Sequence, residues 1–114
     1  EGEVITRFDV DNGDNGIDIS GAEGSPVRAA APGRIVYAGS GLRGYGLLLI
    51  VKHDETYLSA YAHNRLLLVS EGDEVVKGQV VAEMGSSGAK STRLHFEIRQ
   101  DGKPIDPLKY LPAR

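Results

Sequence analysis

Three histidines and a few carboxylates are the residues of this 114-residue chain best suited to chemistry. His53 sits among Lys52, Asp54 and Glu55 after an apolar run and reads as a solvated strand end. His63 and His95 close or occupy segments of alternating character, and Asp18 stands between Ile17 and Ile19 in a third. Alternate side chains of a strand share a face. These three polar groups can therefore converge while their neighbours build core. A lone strand histidine is usually structural, but two with an aspartate on adjacent polar faces make a pocket plausible.

The element that must position His95 is the strand Thr92 to Arg99. Leu94, Phe96 and Ile98 fall on one face, and Arg93, His95, Glu97 and Arg99 on the other. His63 ends a run from Thr56 in which Tyr57, Ser59 and Tyr61 alternate with Leu58, Ala60 and Ala62, with His63 on the tyrosine side. Asp18 follows a turn over Asp11–Gly16, where residues that tolerate positive φ cluster. Further strands are expected at Val4–Phe8, Gly33–Gly39, Leu47–Val51 (the best central strand), from Leu66 to Val69, and at Gln79–Met84. Glycine-rich loops separate them at 39–46 and 86–92, a hairpin turn falls at Asp101-Gly102, and Asp106–Leu111 closes the chain as a short helix or turn. Short strands at this spacing predict an all-β sandwich or barrel. Glu23-Gly24-x-x-Val27 is echoed by Glu71-Gly72-x-x-Val75, which suggests two similar turn-strand units in one core.

Composition narrows the function. The chain is 40% hydrophobic and 25% charged, with formal net charge -3 and a pI near 5.6, so it has the size and make-up of one globular domain without a basic nucleic-acid footprint. No apolar run approaches a membrane span. The absence of cysteine excludes disulfides and thiolate zinc sites and fits either redox compartment. Starting at Glu1 without Met or signal peptide, residues 1–114 read as a single domain taken from a longer protein.

Gly13-Asp14-Asn15-Gly16-Ile17-Asp18-Ile19, Gly44-Tyr45-Gly46, Tyr61-Ala62-His63, Glu71-Gly72-Asp73 to Gly78-Gln79, Met84-Gly85-Ser86-Ser87-Gly88 and Leu94-His95-Phe96-Glu97 resemble the LytM (lysostaphin-type) zinc endopeptidase domain, in order and over nearly the whole chain. The resemblance implies a twisted, mainly antiparallel β fold with an open groove, and cleavage of peptide cross-links in bacterial peptidoglycan. Such an enzyme needs three zinc ligands and a water at the open position. In the family these are a His, an Asp four residues later and the second His of His-x-His, assisted by the first His of that motif and another in Tyr-x-His. This chain keeps Asp18 and His95 as ligands and His63 of the catalytic pair, but has Asp14 and Arg93 where histidines are needed. Arg93 stays cationic, cannot act as a base and is expected to pair with Asp14 or Asp18. Asp14 as a carboxylate ligand is the one escape, and Arg93 opposes it. The expectation is a pseudoenzyme with no metal and no cofactor, His63 and Arg93 being vestigial.

Degenerate members of the family activate periplasmic N-acetylmuramoyl-L-alanine amidases in cell division. The resemblance thus implies a Gram-negative envelope protein with a lipid anchor in the outer membrane, whose groove binds an amidase segment. Asn15, Asp18, Tyr45, Leu48, Tyr61 and Arg99 are the expected partner contacts, on a groove walled by Asp14, Asp18, His63, Arg93 and His95. For Leu48 the competing reading is core, for Tyr61 a sheet cap, and for Arg99 a pair with Glu97 or Asp101. Tyr45, between two glycines, has least packing to explain it. The competing functions are an active zinc endopeptidase and a non-catalytic peptidoglycan-binding module. Val69–Met84 also resembles the hairpin of biotinyl and lipoyl carriers, but no Met-Lys pair is present to carry the modification.

Overall fold

In the computed structural model, which describes residues 3–110, the alternating runs pair into one branched antiparallel sheet. Its strands are β1 (Val4–Thr6), β2 (Ile17–Ser20), β3 (Pro26–Arg28), β4 (Gly33–Gly39), β5 (Leu47–Lys52), β6 (Tyr57–Leu67), β7 (Glu74–Val75), β8 (Val80–Met84), β9 (Arg93–Gln100) and β10 (Lys103–Ile105). Two 3-10 turns lie at Val10–Asn12 and Pro107–Lys109, and no α-helix occurs among the described residues. The second turn is the expected closing element; Leu111 lies outside the described residues. No helix among them is long and apolar enough to cross a membrane.

The neighbour order β1-β2-β9-β6-β5-β4-β7 leaves the sheet open; β10 shares the outer edge of β9, and the β3–β8 pair branches from β6. β6 is the hub. The expected break between a strand ending at His63 and another opening at Leu66 is absent: one 11-residue strand runs through. Up to Ala62 it pairs with β9, and from Asn64 to Leu67 the same edge takes β8. The switch falls at His63, in the left-handed region at φ 69. Such a conformation is uncommon outside glycine and costs on the order of 1–2 kcal/mol. Asn64 holds the strand on course: fully buried, it donates from Nδ2 to the carbonyls of Leu47 (3.0 Å) and Tyr61 (2.8 Å). A run of His, Asn and Arg reads as a gap in the sequence, yet the Asn64 amide nitrogen bonds sheet carbonyls and Arg65 pairs with Glu83, leaving only the Asn64 Oδ1 of that run buried without a partner.

Each strand divides its side chains between two faces. Ile17, Ile19, Leu49, Val51, Tyr61, Phe96 and Ile98 belong to the main core, and Tyr61 and Phe96 pack with ring centroids 5.3 Å apart. Leu48, Ala60 and Ala62 form a smaller apolar floor on the other face, flanked by Tyr37, Tyr45 and Ile50. The internal echo corresponds to two like turns: Gly24 and Gly72 share positive φ values of 89 and 94, and Val27 and Val75 are both buried.

Candidate functional site

Strand register brings the polar residues together. Across the β2–β9 pair Asp18 lies directly opposite His95 and Ser20 opposite Arg93, so Asp18 is diagonal to Arg93 on one face. On the other side of β9, Ala60 faces Glu97 and Ala62 faces His95, two small residues that leave room above the sheet. His63 belongs on the core side by strict alternation, with Tyr61. Its left-handed backbone reverses that, and its ring reaches the polar face 6.1 Å from the His95 ring. The result is a small groove of ≈ 200 Å³ whose lining includes Asp14, Asn15, Asp18, Tyr45, His63 and His95.

Along one wall the charges alternate in an unbroken chain. Arg93 donates from a terminal guanidinium nitrogen to Asp18 Oδ2 at 3.1 Å, and His95 Nδ1 donates to Asp18 Oδ1 at 2.6 Å. His95 Nε2 donates to Glu97 Oε2 at 2.7 Å, and the Tyr45 hydroxyl donates to the same oxygen at 3.1 Å. Arg99 closes the chain from Nε to Glu97 Oε1 at 2.9 Å. Burial alone would disfavour the His95 imidazolium, but its bonds to Asp18 and Glu97 outweigh that and raise it to about 9. Burial pushes the Asp18 and Glu97 carboxyls up, yet both end below the ordinary range because His95 and the arginines favour the anions. His63 moves the other way: burial, then the nearby His95 charge, depress it more than its 2.7 Å bond to the Ser87 carbonyl raises it. Because a carbonyl only accepts, neutral His63 carries its proton on Nδ1. Tyr45 is raised by burial and by the Glu97 charge.

Not every expected residue lies in the groove. Arg93 pairs with Asp18, one of its two expected partners, whereas Asp14 lines the groove and its backbone is bridged to Asp9. Leu48 is 1% exposed and forms the floor beneath Tyr45, so it is not a surface anchor. Tyr61, also 1% exposed, points into the main core because it has the parity of Ser59, not of Ala60 and Ala62. Arg99 is tied to Glu97, as its competing reading supposed. Tyr45, expected to lack packing, both flanks the Leu48 cluster and bonds Glu97.

His53 is not a solvated strand end. It donates from Nδ1 to the Pro32 carbonyl (2.7 Å), and its Nε2 lies 2.8 Å from Ser59 Oγ, which lies 2.7 Å from the Tyr61 hydroxyl. The Ala30 amide donates to that hydroxyl at 3.0 Å. With a neutral ring, donation runs one way: Ala30 to Tyr61 to Ser59 to His53 to Pro32.

Glu97 is the central residue that sequence reasoning passed over. It is 2% exposed and binds His95, Arg99 and Tyr45. A glutamate on the polar face of a strand looks solvated; its only signal was three potential donors at alternate positions of the same strand.

A catalytic zinc ion requires three protein donors and an open position. Both oxygens of Asp18 are engaged by Arg93 and His95, and both nitrogens of His95 donate to carboxylates. No group of three or more His, Cys, Asp or Glu side chains among the described residues is arranged to hold a metal. This donor set does not fit zinc.

The model for "Peptidase family M23" matches residues 12–107. A "Lipoprotein NlpD/LppB homolog" of Pseudomonas aeruginosa is 62% identical over 115 residues, covering 99% of this chain and 38% of that protein. "Murein hydrolase activator NlpD" of Escherichia coli K12 is 58% identical, covering 100% of this chain and 30% of that protein. The chain thus spans between 30% and 38% of the length of these curated relatives. Among solved structures, the catalytic domain of the antimicrobial peptidase lysostaphin from Staphylococcus simulans superposes with a TM-score of 0.81 at 28% identity, covering 87% of this chain and 79% of that one.

Proposed function

The chain belongs to peptidase family M23, and from that membership we propose that it is a non-catalytic member which activates a periplasmic N-acetylmuramoyl-L-alanine amidase. Its relatives' names supply the direction, one being called an activator of murein hydrolase and another a lipoprotein. The single observation that carries the reading is the closed charge chain Arg93–Asp18–His95–Glu97–Arg99. In this reading Asp14 and Arg93 replace the family's ligand and catalytic histidines. The guanidinium takes the position of positive charge that a metal would hold, and His63 is left with no activated water to assist.

The amidase contact falls to the groove face. Tyr45 is the anchor, with Asn15 and Asp18 beside it and the Leu48–Ala60–Ala62 floor below. A half-buried tyrosine whose ring is fixed by packing and whose hydroxyl is fixed by a carboxylate loses little freedom on binding, the property that makes aromatic residues dominate interfaces. Arg99 contributes by fixing Glu97. Arg99→Glu would place a second carboxylate against a buried one, so it tests folding rather than contact. The whole protein is read as an outer-membrane lipoprotein of a Gram-negative bacterium, with this domain in the periplasm.

The test combines three reactions on purified sacculi with zinc present: chain alone, cognate amidase alone, and both. The chain alone is expected to release no cross-link peptides, and the mixture to exceed the amidase alone. Tyr45→Ala should lower activation by about tenfold or more with circular dichroism and melting temperature near those of the parent. Full activation by Tyr45→Ala would remove the anchor from the groove. Chelator-sensitive peptide release by the chain alone, lost in Asp18→Ala, would overturn the non-catalytic reading.

A further inference from the structure

A larger cleft lies on the other face of β6, away from the groove. It measures ≈ 670 Å³, and its lining includes His53, Tyr57, Ser59, Lys77, Lys109 and Tyr110. A second depression of ≈ 470 Å³ shares His53 and continues past Arg34 and Lys52. The two depressions adjoin at His53 and together make a track.

The charge of this track differs from that of the groove. Asp18, His95 and Glu97, which line the groove, are already paired with one another or with Arg93 and Arg99 beside it. Along the track, four cationic side chains (Arg34, Lys52, Lys77, Lys109) face two carboxylates, Asp54 and Glu74. Lys77 and Lys109 have no ion pair with a described residue, and Lys52 has only a 3.8 Å contact with exposed Glu55. A chain of net charge -3 thus gathers cations along one elongated depression. The Asp54 carboxylate is directed elsewhere, accepting at 2.8 Å from the amides of Thr56 and Tyr57. Two aromatic rings complete the surface: Tyr57 and Tyr110 lie 6.1 Å apart, inclined at 54°, with Tyr110 half exposed. The floor is stiff, because the chain from Ala30 through Tyr61 and Ser59 fixes the His53 ring.

An elongated ligand with flat apolar faces and regularly spaced anions fits such a track. A pyranose presents a C–H face to a tyrosine ring, and carboxylates on every second sugar meet separate ammonium groups. We propose that the His53 track binds the peptide-free, carboxylated glycan strand that the amidase reaction leaves behind. This rests on the amidase-activator reading. Hydrolysis there breaks the C–N bond between the muramoyl carbonyl and L-alanine, and water's oxygen forms the new C–O bond. The peptide departs with a protonated amine, and each stripped sugar keeps a new carboxylate. The strand therefore gains the charge that Lys77 and Lys109 complement only after the reaction has taken place. The activator would then stay on strands already cleared while its groove serves the enzyme.

The test titrates the isotopically labelled chain with a peptide-free tetrasaccharide of alternating N-acetylglucosamine and N-acetylmuramic acid, following amide shifts. Shifts at Tyr57, Lys77, Lys109 and Tyr110 are expected to saturate. The affinity should fall about tenfold or more in Lys77→Glu/Lys109→Glu, and Tyr57→Ala should weaken it as well. Neutral tetra-N-acetylchitotetraose should bind at least about fivefold more weakly, since it lacks the charge-assisted contacts. Tyr45→Ala should bind the tetrasaccharide as the parent does, which separates this site from the groove. Lys77→Glu/Lys109→Glu should still activate the amidase, so failure of activation and failure of glycan binding are read independently. Absence of saturable shifts, shifts centred on Tyr45 and His95, or equal binding by the charge-reversed variant would overturn the proposal. Equal, tyrosine-independent binding of poly-glutamate would also overturn it, reducing the track to nonspecific anion attraction.

Discussion

Glu97 decides how the groove residues behave. Together with Asp18 its buried carboxylate keeps His95 charged, and it orients Arg99 and receives the Tyr45 hydroxyl. Removing a charged partner of such a network leaves another charge buried and unpaired, the costly case for an internal ion pair. His95 is therefore the residue to titrate. Its folded-state value, about 9, lies above the ordinary 6.5, so the stabilisation is fully present below pH 6.5 and is lost as pH rises through 9. The loss is on the order of 3 kcal/mol. Asp18 and Glu97 have the opposite sign: with depressed values, their contribution is present above ordinary carboxylate pKa values and falls away in acid. Chemical denaturation across the alkaline range should show the first effect, and imidazole proton shifts should give a titration near 9 that moves down in Glu97→Gln. A His95 that titrates near 6.5 would show that the two carboxylates do not hold it.

At the scale of elements, the 39–46 and 86–92 loops are locked by contact rather than by sequence complexity. Gly46 adopts φ 64, and a Cβ there would overlap the Ser87 carbonyl oxygen. Ser87 in turn accepts from the Leu47 amide (3.0 Å) and donates to the Asn64 carbonyl (2.6 Å). Gly46→Ala therefore combines an unfavourable left-handed conformation with a backbone clash. It should cost more than about 2 kcal/mol in denaturant unfolding and displace Tyr45; an unchanged midpoint would show that the loops part easily.

The legibility of the sequence follows the same physics. The alternation of β9 and the Asp18 segment could be read directly, because a half-buried strand repeats every second residue. Grouping Asp14, Asp18, His63 and His95 rested on matching residues to a family pattern, since no local feature reveals that Asp18 and His95 pair across strands, and Arg93, grouped with them, does not line the groove. What escaped depends on single backbone angles and tertiary satisfaction. One positive φ sends His63 to the face opposite the one its spacing predicts. A buried Asn64 carries β6 through a polar stretch, and a hydrogen-bond chain converts His53 from a surface residue into a structural one.

At the scale of the whole molecule, the radius of gyration of 12.6 Å is close to the roughly 13 Å expected of a single domain this long. The strands of the open sheet share one main core from Ile17 to Ile98. We propose that residues 3–110 fold as one unit and expect urea unfolding to be a single transition, coincident by tyrosine fluorescence and far-ultraviolet dichroism. Separate transitions for the β3–β8 branch and the rest would divide it.

The parity of β6 has a consequence for how this domain can vary. Ala60 and Ala62 lie under the groove, while Tyr57 and Ser59, from the same strand, line the cleft behind it. The two surfaces are thus encoded at interleaved positions and separated by a single backbone. An exchange at Ala60 can reshape the groove face and leave the cleft chemically untouched, so the two proposed binding surfaces can drift independently. A one-residue slip of the strand would exchange the two sets at once. The bulged, His63-centred register therefore guards the composition of both surfaces at once.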